Sequence, residues 1–237
     1  PHSSLLHSSL VTVRQIAAVK TARYAVLGPE DGPVDEVWMA CHGYGQLVPY
    51  FGRHFRAVER PGRLVVAPEA LSRFYVTPVD AAPARDRRVG ATWMTREERA
   101  SDIADLTRYL DDVFVAACTR ADADPLAVRL TGFGFSQGAA TVSRWLAQSL
   151  LLARRPRRAD RLILWGGGLP HDLDLGAEAG WLTDAGVTLV AGDRDGFATP
   201  ARVLEQEARL RAADIPVETR TFSGGHRLND RVLRDLG

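Results

Sequence analysis

Apolar positions along this 237-residue chain follow two rhythms. Short runs with many β-branched residues, at 36–41, 63–67, 128–133, 161–165, 187–191 and 217–222, read as strands, and most end at Gly or Pro. Longer stretches between them, at about 50–59, 96–117, 138–153, 200–213 and 229–236, read as helices. In the third of these, Ala140, Val142, Trp145, Leu146, Ser149 and Leu150 recur at spacings of three and four, which gives one face able to pack on a sheet. The alternation predicts an α/β fold with a mostly parallel central sheet and helices on both faces.

Ahead of the alternation, β-rich runs at 11–19 and 23–27, with turn residues Gly28-Pro29 and Asp31-Gly32-Pro33, predict an antiparallel pair at the N-terminal edge. Residues 1–10 repeat His-Ser-Ser-Leu and are read as a poorly ordered end or an edge strand. The stretch 71–95 carries prolines, arginines and Phe74, Tyr75 and Trp93, and reads as a long loop across a pocket mouth. Residues 1–237 are expected to form one domain, because α/β cores of up to about 250 residues stay undivided.

Composition narrows the class. Hydrophobic residues at 46% and charged residues at 25% are globular proportions. Thirty basic residues against 29 acidic ones leave a formal charge of +1, so no overall field favours nucleic acid as a partner. Lys20 is the only lysine, and the one dense basic cluster, Arg154-Arg155-Pro156-Arg157-Arg158, reads as a solvated helix end and turn in preference to a docking patch. Cys41 and Cys118 are too few for a disulfide framework and match no zinc motif, which suits a reducing cytoplasm and predicts no metal site. No run approaches the roughly 18 apolar residues needed to span a bilayer. The start at a proline leaves a removed leader open, and a homodimer is left open too.

Candidate chemistry centres on Gly134-Phe135-Ser136-Gln137-Gly138, which follows a predicted strand and opens a predicted helix. In that context Gly-x-Ser-x-Gly is a sharp, strained turn that pushes the serine hydroxyl outward, with small residues on both sides of it. The competing dinucleotide fingerprint fails because, after Gly132 and Gly134, its third small residue falls on Gln137. A serine needs a base, and the base needs an acid that fixes its tautomer. In the chain order serine, acid, histidine, His226 is the base, in Ser223-Gly224-Gly225-His226 after the last strand, while His171 reads as a loop residue. Gly192-Asp193-Arg194-Asp195-Gly196 offers two acids; Asp195 is preferred because it lies deeper in the loop, next to the N-cap Thr199 and Pro200. Acyl transfer also requires two backbone donors for an oxyanion. Gln137 N–H supplies one, and Tyr44 N–H, in His42-Gly43-Tyr44-Gly45, is chosen for the other.

These motifs, in this order, resemble the phospholipase/carboxylesterase family of α/β-hydrolases, which includes bacterial carboxylesterases and acyl-protein thioesterases. The resemblance runs from about Glu36 to the C-terminus and takes in Ala67-Pro68-Glu69-Ala70, Trp93 and Gly168-Leu169-Pro170. It implies an α/β-hydrolase with little or no cap and no cofactor. It also implies a serine carboxylesterase that hydrolyses small-molecule esters through an acyl-enzyme on Ser136, with acyl thioesters or lysophospholipids as alternative substrates and a non-catalytic binding protein as the rival class. Family members usually have Val-Pro three and four residues after the acid, whereas Thr199-Pro200 follows Asp195 one residue later. Phe74, Tyr75, Trp93 and Phe197 are expected to wall the pocket.

Overall fold

The computed structural model describes residues 11–29 and 32–237. The expectations for residues 1–10, and for Asp31 in its turn, lie outside the described residues. Seven strands form one sheet in the order β1-β3-β2-β6-β7-β8-β9. They are β1 (Tyr24–Leu27), β2 (Glu36–Cys41), β3 (Arg63–Pro68), β6 (Arg129–Phe135), β7 (Arg161–Trp165), β8 (Val187–Gly192) and β9 (Val217–Phe222). Only β1 runs antiparallel, so the sheet is mostly parallel with an antiparallel edge.

The strands β2, β3 and β8 are buried along their whole length, which is why they read as continuous apolar runs without alternation. Their side chains nevertheless divide between two faces. Val37, Met39, Leu64, Val66, Leu162 and Leu164 pack with Leu106, Leu110, Phe114, Val142 and Leu146 of α2 (Arg99–Arg120) and α3 (Gln137–Gln148). Trp38, Val65, Phe133, Ile163 and Trp165 pack on the other side with Phe51, Phe55, Leu233 and Leu236, from α1 (Val48–Phe51), a 3-10 turn after it and α6 (Asp230–Leu236). Parallel strands leave their C-terminal ends on one rim, and the loops following β2, β6, β7, β8 and β9 gather there.

Several expectations need correction. Residues 11–19 form no strand; Val11, Ile16 and Val19 are exposed, and their apolar positions do not alternate, so no single face could pair and pack. β1 pairs instead with β3. Within the stretch read as one loop, β4 (Ser72–Tyr75) and β5 (Val89–Thr92) form a hairpin of their own. A helix not foreseen, α4 (Leu175–Ala185), starts at Asp174, whose carboxylate accepts from Gly176 and Ala177 N–H. The helix after Ser136 ends at Gln148, which leaves Leu150 exposed and not on the packing face. The arginine cluster is not simply solvated. Arg155 is buried, donating to the Val128 carbonyl at 2.5 Å, and Arg158 donates to the Leu146 and Ser149 carbonyls at the C-terminal end of α3, both at 3.1 Å.

Candidate active site

Ser136 sits between β6 and α3 with φ 56° and ψ −117°, a conformation that L-residues adopt only when their surroundings impose it. Two close approaches impose it here. A Cβ on Gly134 would stand 2.3 Å from the Gly138 carbonyl oxygen, and one on Gly138 would stand 2.0 Å from the Cys41 carbonyl oxygen. The Ser136 N–H donates to the Trp165 carbonyl at 2.8 Å, tying the bend to β7.

Ser136 Oγ lies 2.9 Å from His226 Nε2, and His226 Nδ1 lies 2.8 Å from Asp195 Oδ2. The three residues chosen from the sequence therefore stand in one hydrogen-bonded row. Asp195 is buried, and its second oxygen, Oδ1, accepts from Phe197 N–H at 2.8 Å and Ala198 N–H at 2.9 Å. The longer spacing before Thr199-Pro200 is the backbone that folds around this carboxylate. Asp193 does a different job: its Oδ1 accepts from Gly224 N–H at 2.9 Å and stitches the loop after β8 to the loop carrying His226. That bond, together with the nearby Arg194 charge, holds the Asp193 carboxyl below its ordinary pKa. The Trp165 indole N–H donates to the Arg227 carbonyl at 3.0 Å and anchors the same loop from below.

Neither Tyr44 N–H nor Gln137 N–H donates to another protein atom among the described residues. The Gln137 side chain has a role that the sequence did not disclose. Its Nε2 donates to the Met94 carbonyl at 2.9 Å and its Oε1 accepts from Trp93 N–H at 3.1 Å, clamping the segment after β5 to the start of α3.

A cavity of about 410 Å³ opens beside Ser136, lined by Leu169, Leu189, Phe197, Val203 and Gln206 among others. Of the four aromatics expected to wall a pocket, only Phe197 borders it, with its ring 4.8 Å from that of His226. Trp93 is buried elsewhere, and its indole N–H donates to the His42 carbonyl at 2.8 Å. Phe74 packs against the exposed Tyr44 ring at 5.0 Å, and Tyr75 is exposed on the hairpin. His171, read as a plain loop residue, does line the cavity, as do Arg202 and Glu205 of α5 (Pro200–Arg211). No motif marks those α5 residues; only the packing of the helix over β8 brings them to the serine.

Among the described residues, no group of three or more His, Cys, Asp or Glu is arranged to hold a metal, and no helix is long and apolar enough to cross a membrane. No family model matches the sequence, and no curated protein does. Solved structures do match in fold. Acyl-protein thioesterase 2 of Zea mays superposes with a TM-score of 0.62 at 18% identity, over 91% of this chain and 98% of that one. The Bacillus cereus carboxylesterase gives 0.59 at 15% identity over 91% of each chain. Esterase PE8 gives 0.57 at 18% identity, over 92% of this chain and 96% of its own. The protein has the α/β-hydrolase fold, and these neighbours fit the resemblance drawn from its motifs.

Proposed function

We propose that the protein is a serine hydrolase that cleaves small-molecule carboxylic esters through an acyl-enzyme on Ser136. The observation that carries this reading is the row Ser136 Oγ, His226 and Asp195, with contacts of 2.9 and 2.8 Å. His226 Nε2 takes the hydroxyl proton as Oγ attacks the ester carbonyl, and Asp195 holds Nδ1–H so that Nε2 is the free base. Tyr44 and Gln137 N–H groups, which have no protein acceptor among the described residues, receive the negative oxygen of the tetrahedral intermediate. The ester C–O bond then breaks, and His226 returns the proton to the departing alcohol. Water repeats the sequence on the acyl-serine, releasing the acid and restoring the hydroxyl. The cavity beside Ser136 takes the acyl part, since Leu169, Leu189 and Val203 give it apolar walls.

The fold neighbours support the same chemistry, two being named esterases and one an acyl-protein thioesterase. Hydrolysis of p-nitrophenyl esters by wild type and Ser136→Ala tests the reading. Activity in the wild type that falls by about a thousandfold or more in the variant supports it; equal turnover in both rules it out. Acyl thioesters assayed alongside give the leaving-group preference.

A further inference from the structure

His42 stands at the end of β2 with its side chain fully buried, and both ring nitrogens are occupied. Ala70 N–H points at Nε2 from 3.0 Å, so that nitrogen accepts and carries no proton. Nδ1 lies 2.8 Å from the Gly43 carbonyl oxygen, which can only accept. The two contacts together require a neutral ring with its hydrogen on Nδ1. Burial pushes the ring below its ordinary pKa, outweighing the Gly43 bond and the Glu69 charge that pull the other way. That carboxylate is itself engaged by Arg23 and Arg73.

The Gly43 carbonyl and the Tyr44 N–H belong to one peptide unit, and in a planar trans peptide they point in opposite directions. A grip on the oxygen therefore aims the N–H. The same oxygen accepts from Gln46 N–H at 3.2 Å, closing a turn whose third residue, Gly45, has φ +73°, the left-handed conformation that a type II turn places there. Gly43 N–H donates to Gln46 Oε1 at 2.7 Å.

We infer that His42 is a positioning residue for acyl transfer: through Nδ1–H it holds the Gly43–Tyr44 peptide so that Tyr44 N–H faces the developing oxyanion. The inference rests on the reading of Ser136 as nucleophile.

Two substitutions separate the two ends of the ring. His42→Asn keeps a donor where Nδ1–H was and loses the acceptor facing Ala70; His42→Gln keeps that acceptor and loses the donor. Kinetics on a p-nitrophenyl ester, per active site titrated, are expected to place His42→Asn within about tenfold of wild-type kcat. His42→Gln is expected to lose about a hundredfold in kcat with KM changed only a few-fold, since an oxyanion donor acts mainly in the transition state. Equal losses, or the reverse order, would mean that the ring only supports the fold, and they overturn the inference. Nitrogen NMR of the wild-type imidazole gives a reading that needs no variant: the Nδ1–H tautomer is expected across the active pH range, and the Nε2–H tautomer overturns it. Ser136→Ala is the control. If its rate equals that of wild type, both readings fall; if it is inactive while His42→Gln keeps full kcat, only the inference falls.

Discussion

Gly167 lies against the backbone of Ser136 so closely that a Cβ on it would stand 2.6 Å from the serine carbonyl oxygen and 2.9 Å from the Ala139 side chain. The bend at Ser136 is thus also held from outside its own motif, by the loop after β7. Gly167→Ala forces either that loop or the bend to move. A displacement of about 1 Å in reacting groups costs on the order of a hundredfold in rate. We expect kcat on a p-nitrophenyl ester to fall by at least tenfold, with a lower Tm in the same protein.

The two aspartates after β8 have separable roles. Asp195→Asn leaves Oδ1 its backbone donors but removes the carboxylate acceptor facing His226 Nδ1, which in the proposed mechanism selects the tautomer with Nε2 free, and a loss of about ten-thousandfold in kcat is expected. Asp193→Asn loses only part of the bond to Gly224 N–H, so activity within about tenfold of wild type is expected. Steady-state kinetics on the two variants side by side check the assignment.

Val203 tests the cavity. It lines the space beside Ser136 from α5, so Val203→Phe fills room that a longer acyl chain needs. Hydrolysis of p-nitrophenyl acetate is expected to change little, whereas the octanoate ester is expected to lose about tenfold or more in kcat/KM. Equal effects on both chain lengths would place the acyl group elsewhere.

Acid stability follows from Glu36. It is buried at the start of β2, accepting from Arg63 Nε and Arg60 at 2.9 Å and from Thr131 at 3.0 Å. Burial alone would raise its pKa, but the bond to Arg63, with its other partners, holds it below the ordinary 4.5. A carboxylate with a depressed folded pKa contributes stability that is present above its unfolded pKa and is lost as pH falls through the folded value. Wild-type Tm is therefore expected to drop below about pH 4.5, while Glu36→Gln starts lower at neutral pH and loses less on acidification.

Most of what was legible in the sequence was local. Continuous runs such as 187–191 announce strands buried on both faces, and Gly134 declares the bend because its steric demand, against Gly138 and Ala139, falls within five residues, whereas the demand on Gly138 comes from Cys41 across the sheet. α4 was hidden by Gly176 and Gly180, which dilute its helical signal; its Asp174 cap was the one cue available. The β4–β5 hairpin was hidden because its strands are four residues each and their partners are far apart in sequence. Arg202, Glu205 and Gln206 reach the cavity only through tertiary packing, and the Gln137 clamp on Met94 joins segments 43 residues apart.

The most direct measurement is covalent. A fluorophosphonate probe attacked by an activated serine leaves its phosphonyl group on that oxygen, and peptide mass mapping locates it. A single adduct on Ser136, formed in wild type and abolished in His226→Ala, is the predicted result. An adduct on another residue, or none in a protein that still hydrolyses esters, would contradict the account.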